Sequence, residues 1–287
     1  MDSVPADFVE EVLYGLSKTE RSALGSFENK TIWTSLAKRE IFVYSAQVRI
    51  DRDGSVRCAF YPRSEKTGVV HAYPITLEKF RATSPKTHFV DMLTICEHHY
   101  VTNSWTELPM EHLGSLFKFI MKRTKLRDSL LDISHVPFDH NIALMNTFYE
   151  ISTNCTAFSC LHLTHSGFQS EQFLAFQVAQ NKSLEEICLY GPWHQSSEDQ
   201  IQEFLSLPRF KKLNTIHHEV QMILPFELIE KVFRKWKSSK AVKPGPAISA
   251  FVKDVPKDMP SSYDIPSGSR LVTKVHDCGR TVVHVRF

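Results

Sequence analysis

The sequence predicts an α/β protein in which three short helices precede a run of β-α units, with one hairpin before those units and another after them. Three observations predict it. Near the N-terminus apolar residues recur at helical spacing and are broken by polar turns. From residue 41 the pattern changes to strands rich in β-branched and aromatic residues. From residue 89 onward short apolar strands alternate with helix-like stripes, and their central positions Leu131, Leu161, Ile187 and Leu213 lie 30, 26 and 26 residues apart.

The chain opens VPADFVEEVLYGLSKTERSAL over residues 4–24. Pro5 suits the first turn of a helix, where its missing N–H costs nothing. Phe8, Val9, Val12, Leu13 and Leu16 then form one apolar face. Ser17 to Glu20 has the S-x-x-E form of a capping box, so a second helix should start there and carry Leu24, with Phe27 three residues on. Asn29 or Thr31 can cap a third helix with Ile32, Trp33, Leu36 and Ala37 on its apolar side. About 40 residues bury too little to be stable alone. The helices therefore either dock a partner or cap the chain's own core.

Residues 41–61 read as a hairpin, IFVYSAQVRI and VRCAFYP joined by Asp51 to Gly54. That turn is no calcium loop, because Pro62 stands where a twelfth-position Glu is needed. The strand cores of the repeat are Val90–Leu93–Ile95, Leu131–Ile133, Phe158–Leu161–Leu163, Leu184–Ile187–Leu189 and Phe210–Leu213. The stripes between them include Leu116, Phe117 and Ile120, then Ile142, Met145 and Phe148, then Phe173, Leu174 and Phe176, then Ile201, Phe204 and Leu205. Units of this kind bury their faces only by stacking. An ordinary open α/β sheet with coincidental spacing is the alternative. Residues 241–269 are rich in Pro and Ser and read as a linker, and RLVTKVHDCGRTVVHVRF at 270–287 reads as a terminal hairpin turning at Asp277 to Gly279. The expected domains are 1–40, 41–88, 89–240 and 241–287.

Val4-Pro5, the spacing to Leu16, the polar turn, Leu24, Phe27 and Trp33 followed by Leu36-Ala37 resemble a divergent F-box, with Val4 where that motif has Leu. The opening MDSVP followed by F-x-x-x-V is similar to a lineage-expanded group of invertebrate F-box-like proteins. The L-x-x-L-x-L cores resemble degenerate leucine-rich repeats. The resemblance implies a substrate-recognition subunit of a cullin-RING ubiquitin ligase. Val4, Pro5, Phe8, Val9, Val12, Leu16, Leu24, Phe27 and Trp33 would dock a Skp1-type adaptor, and the repeats would select an unknown protein substrate. The exposed strand positions and the loops after them give His162, Tyr190, Trp193 and His217 as partner-binding candidates, although Trp193 can equally fill a gap between helices.

Other function classes find less support. The sequence holds no phosphate-cradling glycine loop, no dinucleotide fingerprint, no nucleophile elbow and no H-E-x-x-H. Glu97-His98-His99 and His217-His218-Glu219 are the densest histidine clusters, but neighbours on a strand face opposite ways and share an ion poorly. Cys155 and Cys160 lack a partner pattern for nucleophilic catalysis, and the six cysteines show no C-x-x-C. The expectation is a non-enzyme without cofactor or metal, the alternatives being an interaction solenoid unrelated to ubiquitin and a hydrolase with an unrecognised site.

Residues 231–287 carry 12 Lys/Arg against 4 Asp/Glu, a basic end that either flanks an acidic partner or is a solvated surface. Its few aromatics argue against nucleic acid. Asp2, Asp7, Glu10 and Glu11 do not suit a secretory or mitochondrial leader, and no window approaches the ~18 apolar residues of a membrane span. A cytoplasmic protein is expected, with the nucleus as a second compartment and with no membrane contact.

Overall fold

The computed structural model describes residues 4–14, 16, 18–27, 31–50, 55–64, 73–96, 105–124, 128–134, 142–153, 156–217, 219–238, 246–256, 262–264, 270–275 and 280–286. The expected features at Ser17, Asn29, Asp51 to Gly54, Glu97 to His99, Cys155, His218 and Asp277 to Gly279 lie outside these residues. The chain divides into two compact units, Met1–Pro137 with Ala157–Ser159, and Phe138–Thr156 with Cys160–Phe287. The division runs through the stretch that the sequence assigns to a single repeat domain.

The first unit begins with α1 (Ala6–Tyr14), α2 (Lys18–Gly25) and α3 (Ile32–Ala37). Thr31 caps α3 in a reciprocal box with Thr34, satisfying N–H groups that a helix start leaves orphaned. There follow β1 (Phe42–Ile50), β2 (Val56–Arg63), α4 (Leu77–Arg81), β3 (His88–Cys96), β4 (Thr106–Leu108), α5 (Leu113–Arg123) and β5 (Leu130–Asp132). The strand order is β5-β3-β1-β2-β4. The expected β1–β2 hairpin is present, but it is no separate connector: β1 also pairs in parallel with β3, and β3 in parallel with β5. Lying between two neighbours, β1 buries residues of both parities, from Val43 through Ala46 together with Val48.

Phe80 of α4 organises this core. Its ring stacks on Phe60 at 4.2 Å and meets Tyr44 edge-on at 5.0 Å. The Arg123 guanidinium lies 5.2 Å from the same ring. It is held there by Nη1–H donating to the His88 carbonyl at 3.2 Å and Nη2–H donating to that of Thr83 at 3.0 Å. A buried cation thus ties the end of α5 to the start of β3.

The second unit contains α6 (Ile142–Ser152), β6 (Cys160–Thr164), α7 (Phe168–Gln180), β7 (Glu186–Tyr190), α8 (Glu198–Ser206), β8 (Lys212–Asn214), β9 (Leu224–Pro225), α9 (Phe226–Ser238), β10 (Ala247–Lys253), β11 (Ser262–Asp264), β12 (Arg270–Val275) and β13 (Thr281–Arg286). Strands β6, β7, β8 and β10 run parallel and consecutively, while β13, β12 and β11 add antiparallel beyond β10. Leu161, Ile187, Leu213 and Ile248 share one register row, so the 26-residue interval marks true strand equivalence. All four are buried. The helices pack in chain order, α6 on α7, α7 on α8 and α8 on α9.

One expectation is overturned. Residues 247–253, inside the predicted linker, form β10, which joins the parallel strands to the terminal hairpin. Pro244 and Pro246 end before the strand begins, and Ile248, Ala250, Phe251 and Val252 are buried. β13 pairs with β10 and thereby covers its free edge. Nine α-helices are present among the described residues, and no helix is long and apolar enough to cross a membrane.

Candidate functional site

Two surfaces hold the residues that the sequence singles out. On the first, α1 turns Val9, Leu13 and Tyr14 inward. The Tyr14 ring lies 4.8 Å from Phe89, and its hydroxyl donates to the Lys86 carbonyl at 3.0 Å. Burial, reinforced by the Glu10 carboxylate, raises the Tyr14 hydroxyl above its ordinary range. Glu10 Oε1 accepts from Arg39 Nη1 at 2.6 Å, and its Oε2 lies 3.5 Å from Lys86 Nζ. One face of the helix trio is therefore fastened to the unit's own core.

The remaining candidates divide by exposure. Phe8 is 54% exposed and Phe27 is 61% exposed, and Pro5 also faces solvent. Val4, Val12, Leu16, Leu24 and Trp33 are half-buried. Val9 is fully buried, so it belongs to the core and not to a docking surface. The buried stripe is Val9, Leu13 and Tyr14, rotated by about one residue, ~100° of helical arc, from the expected face.

The second surface is the sheet face of the second unit. The parallel strands β6, β7 and β8 lie in order, and α7, α8 and α9 pack on one another in succession as one layer. Leu161, Leu163, Ile187, Leu189 and Leu213 occupy the buried parity beneath them. The opposite parity carries Cys160, His162, Glu186, Tyr190, Lys212 and Asn214, which are half-buried, together with Thr164 and Cys188, which are buried. Glu186 Oε2 stands 3.6 Å from both Cys160 Sγ and Lys212 Nζ, a polar row across three strands. Burial and the Glu186 carboxylate push the Cys160 thiol up, which disfavours its thiolate form.

Three of the four partner-binding candidates come together here. The His162 and Tyr190 rings are 6.0 Å apart, and Tyr190 lies 3.9 Å from His217 at an interplanar angle of 34°. They form a ladder of rings across β6, β7 and the loop after β8. Trp193 does not join it. Gly191, at φ 77°, allows a sharp turn after β7 that carries Trp193 back inside, where it is fully buried. Its Nε1–H donates to the Leu163 carbonyl at 3.4 Å, and its own carbonyl accepts from the Gln221 and Met222 N–H groups. Trp193 is a packing residue, not a surface anchor.

Beside it lies a pair that the sequence reading missed. His165 is 7% exposed, and its Nε2 is 3.2 Å from Glu171 Oε1. Burial lowers the affinity of the His165 imidazole for a proton, against the pull of Glu171. The folded chain thus binds this proton less tightly than the unfolded chain, whose histidine titrates near ~6.5. Stability linked to His165 is complete above that value and is lost as pH falls below it. Melting temperature should therefore drop less in His165→Gln than in wild type between about pH 7.5 and about pH 5.5. Parallel profiles would assign the acid sensitivity elsewhere.

Among the described residues no group of His, Cys, Asp and Glu is arranged to hold a metal ion. No protein-family model, curated protein or solved structure matches the chain.

Proposed function

We propose that the chain is a protein-interaction subunit in which α1–α3 dock a Skp1-type adaptor of a cullin-RING ubiquitin ligase, while a leucine-rich-repeat-like stack presents its polar sheet face to a protein substrate. The observation that carries the adaptor reading is the exposure of Phe8 and Phe27 on a helix trio whose other face is already fixed. Large apolar side chains held in water on a braced scaffold suit a partner that covers them. The stack is supported by the shared row of Leu161, Ile187 and Leu213 on parallel strands. Its polar face, with the His162–Tyr190–His217 ladder, offers aromatic area and hydrogen-bonding groups.

Co-expression with a Skp1-type adaptor, followed by gel filtration, tests the docking half. Wild type should co-elute with the adaptor, and the double substitution Phe8→Asp with Phe27→Asp should abolish co-elution. Each side chain is mostly in water, so stability should change by no more than about 0.5 kcal/mol per site. A second reading rests on the packing of Val9, Leu13 and Tyr14 into the chain's own core. In that reading the helices are a permanent cap and the protein is an interaction scaffold outside the ubiquitin system. A folded wild-type chain that never co-elutes with the adaptor favours the cap.

A further inference from the structure

Tyr44 and Phe60 turn one face of the first unit's sheet toward Phe80 of α4. The other face starts under α1, where Val43 and Phe89 are register partners and Tyr14 lies against Phe89. Beyond that pair it becomes polar. Ser45 stands between Tyr61 of β2 and Met92 of β3, and Gln47 stands beside Thr94. Trp105, just before β4, packs on Ala59 and Tyr61. The β1–β3 register slips once here: Tyr44 pairs with Val90 and Ser45 with Met92, which leaves Asp91 as the extra residue of a bulge. Bulges re-aim a side chain. Asp91 Oδ2 accepts from Arg63 Nη1 at 2.7 Å, and Arg63 is the register partner of Val43.

Ser45 is 1% exposed, Thr94 4% and Trp105 8%. Ser45 Oγ, Thr94 Oγ1, Trp105 Nε1 and Asp91 Oδ1 are buried atoms without a hydrogen-bond partner among the described residues. Unpaired polar atoms in an interior are costly, and apolar residues of similar shape would pack there without that cost. Their concentration on one sheet face therefore calls for a ligand. The four atoms also define its chemistry. The indole N–H only donates, the carboxylate oxygen only accepts, and the two hydroxyls do both. A partner that serves all four must itself donate and accept. An anion meets the Asp91 oxygen with a second acceptor, and an ammonium meets the indole with a second donor. Hydroxyl groups match every member of the set.

We infer that this face binds a hydroxyl-rich ring compound, a sugar. Tyr61, Met92 and Gln47 are half-buried and stand beside the two hydroxyls, so a turn of their side chains admits the ligand. The Tyr61 and Trp105 rings then offer apolar surface to the C–H face of the sugar. Strands β3 and β4 are separated by β1 and β2, three strand spacings or about 14 Å, which is room for one or two sugar rings. A free sugar and a sugar carried on a protein present the same hydroxyls. The inference stands apart from the adaptor reading, since it uses neither Phe8 nor Phe27.

Calorimetric titration of the full chain with methyl glucoside, methyl mannoside, lactose and chitobiose tests it, with acetate and methylammonium as controls. At least one sugar should bind saturably at millimolar concentration, and neither control should. A glycoprotein bearing that sugar, compared with its deglycosylated form, separates the two sources: tighter binding than the free sugar assigns the protein-borne one, and equal or weaker binding assigns the free one. The double substitution Ser45→Ala with Thr94→Val should weaken binding about tenfold. It should also raise the melting temperature of the unliganded chain, because it takes unpaired hydroxyls out of the interior. Trp105→Phe keeps a ring and loses the N–H, so it should weaken binding in a folded chain. No saturable binding of any of the sugars up to about 10 mM, ten times a millimolar dissociation constant, would overturn the inference. So would equal binding of a control or binding unchanged in both variants. A melting temperature lowered by the double substitution would also overturn it, by showing that the hydroxyls already serve the fold.

Discussion

Trp193→Ala is expected to destabilise the second unit by about 3–5 kcal/mol, as loss of a fully buried large aromatic does. Two losses combine. The ring is completely enclosed, and its removal leaves a void that its neighbours must partly fill. The Leu163 carbonyl also loses the indole N–H that reaches it. A buried acceptor left without that donor costs about 1–3 kcal/mol by itself. Trp193→Phe keeps most of the volume and loses the donor, so it should fall between wild type and Trp193→Ala. Urea titration followed by circular dichroism measures both. A change within the range of surface substitutions, about 0.5 kcal/mol, would mean that the side chain lies outside the core.

Phe80→Ala should cost the first unit a comparable amount, about 3–5 kcal/mol. Phe80 is fully buried, stacked on Phe60 and edge-on to Tyr44, with the Arg123 guanidinium against it. Its removal opens a cavity at the junction of α4, β1 and β2 and takes the aromatic partner from a buried cation. Phe80→Leu restores part of the apolar volume and should recover part of the loss. If Phe80→Ala unfolds with the wild-type midpoint, the aromatic cluster is not the centre of this core.

These two positions mark the limit of what the sequence makes legible. The strand row of Leu161, Ile187 and Leu213 is readable because one structural unit is repeated at a fixed interval, and Thr31 is readable as a cap because capping is decided within four residues. Trp193 is not. Whether an aromatic after a strand faces water or the core depends on the turn at Gly191 and on a carbonyl 30 residues away. The same applies to α1. Local spacing permits either face, and the choice is made by Phe89 and the Lys86 carbonyl, which reward Tyr14 and leave Phe8 outside. β10 escaped notice because prolines on both sides of it read as a linker, although Ile248, Ala250 and Val252 alternate as a strand should.

The candidate surfaces divide along the same line. His162, Tyr190 and His217 were reachable from the repeat, since equivalent strand positions in neighbouring units become neighbours in space. The ladder should carry recognition, so Tyr190→Ala is the substitution that removes its centre while sparing the buried parity. The pairing of His165 with Glu171 follows the path of a loop rather than any periodicity, and no local signal announces it.

The central claim is that the exposed face of α1–α3 takes an adaptor. Calorimetric titration of the full chain with a purified Skp1-type adaptor tests it most directly. The account predicts a saturable isotherm with one adaptor per chain, a binding heat that grows more negative with temperature as apolar surface is buried, and loss of that heat in the Phe8→Asp, Phe27→Asp variant. A folded wild-type chain that gives no saturable heat at micromolar concentration would contradict it.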